Sequence, residues 1–299
     1  MTIYYDQFET WEGSFRELAV DLVGKEEIQT LASSNFEFIE DAGDSVVRHT
    51  DIETASDAIY DWLQAHEFCV FHGTRLLPDE ILSVQQLGLR PLVAADRRQR
   101  LTEILKTHPQ WHHLEHQLAE VLEDVGPKNK QGRREGQVHF SLSRSGLANG
   151  FDHYLSHGSE FDQHVVQRLF GDQSGLHLLH SETVPIIVHV RIGGEELVRG
   201  AHPHFSYSDI TGMGEIPGIA RVFLNSWAFK VANPSFDIAK LRTDCCMMQR
   251  VATPPERIID LEKFGELDGS APWGGVRGRA RSPWRSAARG RAGGHRASS

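Results

Sequence analysis

The sequence predicts an α+β fold, on three observations. Short apolar strands at Phe68–His72, Gln137–Ser143 and Ile186–Ile192 are interleaved with helical patterns. Neither a repeating strand–helix–strand unit nor a phosphate-loop glycine pattern accompanies them, which argues against a doubly wound sheet. At 299 residues and 39% apolar content, the chain also has the material for a sizeable core.

Residues 1–66 carry helical patterns at Phe15–Leu22 and Ile52–Leu63 around a looser acidic piece, Phe36–Asp44. A helical appendage packed on the main domain is expected there. The unit that follows organises the chain. Phe68 to His72 reads as a buried strand, because aromatic and β-branched residues dominate it, and it should end on the imidazole of His72. Gly73 comes next, where the missing side chain lets a planar ligand approach the backbone closely. Pro78 suits the first turn of a helix, Ile81, Val84 and Leu87 give that helix an inward face, and Gly88 supplies its stop.

A helical insertion is expected from Asp96 to about Val125, broken at Pro109, with Leu114, Leu118, Val121, Leu122 and Val125 as its core-facing stripe. His112 and His116 sit at i,i+4, a spacing that suits zinc. No Glu follows the first of them in the metalloprotease order and no third ligand is indicated, so no metal is expected. Gly126–Gly136 reads as a flexible loop. Its Lys128, Lys130, Arg133 and Arg134 are either solvated or a clamp for phosphate or substrate.

Gln137–Ser143 is a second strand with period-two alternation, and Phe161, His164, Val165 and Leu169 share one face of a later helix. Ile186–Ile192 is the clearest central strand, introduced by Pro185 and stopped by Gly193 and Gly194. A loop rich in His, Ser and Gly leads to Glu215, a helix spans about Ala220 to Val231, and a late strand is expected over Asp244–Val251.

The charge is unevenly distributed. After Asp268 the tail holds seven arginines and no acid; removing those seven from 31 leaves 24 basic groups against 41 acidic ones, a net −17 for residues 1–268. Such a body has no general attraction for nucleic acid or anionic lipid, and a polyanion would need a local basic patch. Residues 265–299 are rich in Arg and Gly and too poor in aliphatics to bury a core, so they are expected to be disordered. The tail reads equally as a nucleic-acid arm and as an off-frame translation of GC-rich DNA. Three cysteines, two of them adjacent, make no disulfide framework, and no charged start leads into an apolar run. A cytoplasmic protein with no membrane partner is expected.

The order strand, His72-Gly73-Thr74, helix, Gly88-Leu89 resembles the first motif of the ADP-ribosyltransferase superfamily, and Val138-His139-Phe140-Ser141 is similar to the second motif of its RNA 2'-phosphotransferase members. The resemblance covers roughly Phe68 to Phe264. It implies an ADP-ribosyltransferase-like domain over 67–264, with two small antiparallel sheets split around an NAD cleft and helical insertions. It implies NAD as the substrate, held by His72, Gly73, Thr74, Arg75, Ser141, Ser143 and the stacking aromatic Tyr154, with Phe151 as an equally plausible core residue. His72 and His139 take catalytic positions, and ADP-ribose passes to a macromolecular acceptor, protein or nucleic acid.

The third motif departs from the family's pattern. Polymerases and toxins carry a glutamate on a late strand, where it stabilises the cationic sugar formed as nicotinamide leaves. The stretch Asp244–Val251 contains none, which leaves Asp244, the neutral Gln249, or Glu215 from the preceding loop. The RNA 2'-phosphotransferases lack that glutamate too and use two arginines, for which Arg75 and Arg191 are the candidates in this chain. Two other readings stay open: a module that binds NAD or ADP-ribose without turnover, and a metal-dependent hydrolase built on the histidine-rich segments.

Overall fold

The computed structural model describes residues 1–126, 136–206, 209–210, 218–241 and 246–265. Six strands, β1 (Thr2–Tyr4), β2 (Glu67–Leu76), β3 (Val138–Ser141), β4 (Val184–Gly193), β5 (Cys246–Gln249) and β6 (Ile258–Lys263), form one sheet. The order is β5-β3-β2-β4-β6, antiparallel throughout, and β1 adds to β2 in parallel. An α+β class is therefore correct, but the strands belong to a single sheet where two were expected.

The seam between β2 and β3 explains the difference. These strands pair at one position, Phe71 with Ser141, whereas β2 pairs with β4 along all ten of its residues. Residues 138–140 of β3 stay paired with β5, so β3 parts from β2 beyond Phe71. β2 is also longer than its apolar run. His72 does not end it, because Gly73 to Leu76 continue the alternation and pair with Ile187 to Val184.

Helices precede and cover the sheet. Residues 1–66 contain α1 (Glu12–Val23), α2 (Lys25–Ala32), α3 (Ile39–Val47) and α4 (Ile52–Gln64). They pack on the main core. Trp11 and Trp62 pack on Phe223 with ring centroids 5.1 and 5.4 Å apart, and Phe68 of β2 joins the same cluster at 5.6 Å from Phe223. Aromatic rings bury more area than any other side chains, so this cluster binds the N-terminal segment to the sheet's main core.

The remaining helices are α5 (Pro78–Leu87), α6 (Ala94–Leu105), α7 (Trp111–Leu114), α8 (Leu118–Val125), α9 (Arg144–Gly150), α10 (His153–His157), α11 (Glu160–Phe170), α12 (Ser174–Ser181), α13 (Gly194–Ala201) and α14 (Gly218–Ala232). Gly88 ends α5 at φ +78°, and a Cβ there would stand 2.0 Å from the carbonyl oxygen of Thr253, so only glycine fits. The insertion breaks around Pro109 as expected, and Leu118, Val121, Leu122 and Val125 are buried. They build a second core with Phe161, Val165 and Leu169 of α11, beside the half-buried His164.

A polar junction joins this second core to the sheet. Asp162, fully buried at the start of α11, accepts from Arg97 and Arg100 of α6, and Arg100 also bonds Glu80 of α5 and the carbonyl oxygen of Arg75. Burial pushes the Asp162 carboxyl up, but the two guanidinium groups outweigh it and hold the carboxyl below its usual range. Among the described residues, no helix is long and apolar enough to cross a membrane.

Candidate functional site

Strands β2 and β3 are neighbours, paired at Phe71 and Ser141 and linked again by His72. The ring's Nδ1 lies 2.8 Å from the carbonyl oxygen of His139, across the gap where the β2–β3 ladder stops. A carbonyl only accepts, so Nδ1 carries the proton and Nε2 keeps a lone pair in the neutral ring. Burial lowers the His72 pKa below the usual imidazole value, partly opposed by the bond to His139, which keeps the ring neutral at pH 7.

Register sends the expected residues to different faces. His72 follows Phe68 and Val70 onto the main-core face, where its ring stands 6.0 Å from that of Phe140. His139 alternates with Phe140 and lies on the opposite face, its Nε2 3.1 Å from Gln137 Oε1. The site brings His72 to the backbone of His139. It does not bring the two imidazoles together on one face. Gly73 shares the His139 face, and Leu147 of α9 occupies the space its missing side chain leaves, with Cδ1 2.8 Å from where a Cβ would be. Thr74 is half-buried on the His72 face.

Three candidate ligands are engaged inside the protein. Arg75 is buried and donates to Leu155 O at 2.7 Å, His180 O at 2.5 Å, Thr183 Oγ1 at 2.9 Å and Thr183 O. It ties β2 to α10 and α12, so a cofactor role for it is not what the geometry provides. Ser143 is the N-cap of α9, accepting from Gly146 N and donating to Asp6, whose other oxygen accepts from Ser145 N. Ser141 is buried and donates to Ser143 O. Both serines serve the β3–α9 turn, Ser143 by accepting from a first-turn amide of the helix and Ser141 by donating to the Ser143 carbonyl.

Tyr154 is half-buried in α10, donates to Glu160 and lies against the His153 ring at a tilt of 37°, with centroids 4.1 Å apart. Phe151 packs on the small cluster of Cys69, Phe71, Leu147, Leu155 and Ile187. Gln249 is buried opposite Val138, on the main-core face with Met247, and Thr253 bonds its oxygen at 3.5 Å. Asp244, Glu215 and the clamp residues Lys128, Lys130, Arg133 and Arg134 lie outside the described residues, as does the tail from 266. Among the described residues, no three His, Cys, Asp or Glu are grouped to hold a metal. A cleft of about 320 Å³ lies away from His72, lined by Asp6, Phe8, Glu9, Glu12, Lys230 and Phe236 among others.

One cluster escaped the sequence. Glu262 of β6 accepts from Arg144 Nε at 2.8 Å, from Arg144 Nη2, and from His189 Nε2 at 3.0 Å. It stands in one cross-strand row with Ile187 and Gly73, two strand spacings or roughly 10 Å from the glycine. His189 also meets the Phe71 ring edge-to-face at 5.0 Å. The bonds from Arg144, with help from His189, hold the Glu262 carboxyl below its usual range. The available signal was His189 itself, an imidazole in the middle of an otherwise apolar strand.

Glu262→Gln keeps the shape and removes the charge, and it is expected to lower stability by about 2 kcal/mol at pH 7. Because folding depresses this carboxyl, the difference from the parent should persist above the ordinary value of 4.5 and vanish as pH falls through the depressed one. Paired urea titrations at pH 7 and pH 3 measure it. Equal stabilities at pH 7 would remove the role.

No family model, curated protein or solved structure matches the chain.

Proposed function

We propose that the chain binds NAD at the seam between β2 and β3, cleaves its nicotinamide–ribose bond and transfers ADP-ribose to a macromolecular acceptor. The observation that carries this reading is the His72 ring held across the seam by its own Nδ1–H. That bond aims a neutral, accepting Nε2 at a ligand, as a ribose hydroxyl requires. The adjacency of the two motif strands supports the same reading, and so does the opening of the sheet beyond Phe71, which is how a split sheet begins. His139 contributes its backbone carbonyl, which fixes the tautomer of the His72 ring.

A second reading, an NAD or ADP-ribose module without turnover, is favoured by Gln249, which is neutral, buried and bonded to Thr253. Such a group offers no charge to a developing cation. The two readings part in one experiment, incubation of the full chain with NAD labelled in nicotinamide, with binding and release measured separately. Release above the uncatalysed rate is expected. Asp244→Asn, Glu215→Gln, Gln249→Ala and Glu262→Gln run beside the parent identify the third-motif group. The one that counts should lower release roughly 10²- to 10³-fold while leaving NAD binding unchanged. Binding without release would select the module, and absence of both would end the NAD reading.

A further inference from the structure

The junction at Arg75 carries a feature independent of NAD. α10 and α12 meet over the far end of β2, joined by the bonds from Arg75 and by His180 Nδ1 donating to Ser156 O at 3.0 Å. Histidines crowd this contact: His157 and His180 have ring centroids 6.3 Å apart, with His177 on α12 and His153 on α10 close by. Among the described residues, the partners of the Arg75 guanidinium are all neutral oxygens, and Nδ1 of His157 is enclosed with no hydrogen-bond partner.

We propose that α10 and α12 form an acid-sensitive clasp whose trigger is His157: a proton on this ring places a second cation beside Arg75 and releases α10 from α12. A charged imidazole carries hydrogen on both nitrogens, so the enclosed Nδ1–H would have no acceptor. It would also be repelled by Arg75 of β2, by His180 and His177 when protonated, and by His153. The carboxylates of α11, which packs on α10, are already engaged. Glu160 of α11 accepts from Tyr154 and pairs with His153 at 3.2 Å, and Asp162 is taken by Arg97 and Arg100. From β4, which also packs on α10, His189 is held by Glu262, and Arg191 lies further along the strand opposite Cys69.

Burial and these cations lower the His157 pKa in the closed clasp. The closed form is therefore fully stable above the ordinary imidazole value of 6.5 and loses stability as pH falls below it, until the lowered value is reached. Uptake of one proton on opening makes protection fall with pH in that window, approaching a tenfold loss per pH unit only well below 6.5.

Hydrogen exchange of the full chain between pH 7.5 and pH 5.5, read as protection factors, tests this. Amides of α10 and α12 should lose protection between pH 6.5 and 5.5, by at most about fivefold, while β2 and β4 hold theirs, and His157→Gln should flatten the loss. An undiminished loss in His157→Gln, no loss in the parent, or an equal loss in β2 and β4 would each overturn the clasp. Should His157→Gln fail to fold, imidazole NMR titration of the parent decides. A His157 midpoint below 6.5 that accompanies the opening supports it, and a midpoint at or above 6.5 refutes it.

Discussion

Arg75→Leu is expected to lower stability by roughly 4 kcal/mol, a larger effect than that of Glu262→Gln. A hydrogen bond from a charged donor contributes about 1.5–3 kcal/mol, and this guanidinium makes four, to oxygens that a leucine would leave buried without donors. Relief of the cation's own burial, which pulls its pKa down, offsets part of that sum. Against a total of about 5–15 kcal/mol for a domain, a loss of this size is close to unfolding. Arg75→Lys should recover little, because one ammonium cannot span targets on α10, on α12 and at Thr183. The measurement is the urea midpoint at constant slope. A shift worth under about 1 kcal/mol would mean that the guanidinium is available to a ligand after all, and would restore Arg75 to the candidate site.

His72→Ala should leave the fold nearly intact and weaken NAD binding by roughly 10- to 100-fold, into the range where calorimetry detects none. The structural loss is one bond, Nδ1–H to His139 O, worth about 1 kcal/mol. The functional loss is the acceptor itself, because a ribose hydroxyl buried in the seam would then lack a partner. Burial of His72 adds a signature. Affinity should be flat from pH 8 to 7 and fall only as pH drops through the lowered imidazole value, where Nε2 gains a proton and ceases to accept. NAD binding equal to the parent's would place the site elsewhere and remove the main support for the transferase reading.

Legibility followed the range of the interactions. β4 was read from the apolar run Ile186–Ile192 that makes up most of its length, and the helix stop at Gly88 from the residue itself. The stripe on α8 was legible for the same reason, since period and capping are written in neighbouring residues. β2 was read short because Gly73 and Arg75 look like loop chemistry. Only β4, pairing through to Val184, makes them strand residues. Which residues the first 66 pack against was not legible, because their partner, Phe223, lies far along the chain.

The site divided in the same way. Phe68–His72 and Val138–Ser141 were legible as strands, and the structure makes the two strands adjacent. Ser141, Ser143 and Arg75 were expected as ligands on the resemblance, but a polar group buried at a turn or junction satisfies the nearest carbonyl or amide first. The bonds of Glu262 to Arg144 and His189 span 118 and 73 residues, which no local pattern encodes. By itself, then, the sequence determined the α+β class, the strands and helices that repeat with a period, and the placing of His72 and His139 on two of those strands. Tertiary structure alone decided which face each histidine occupies, that one sheet opens at a seam, and that Arg75 serves the fold. Side-chain alternation is set by the chain, whereas cross-strand partners and buried polar satisfaction depend on what folding brings near.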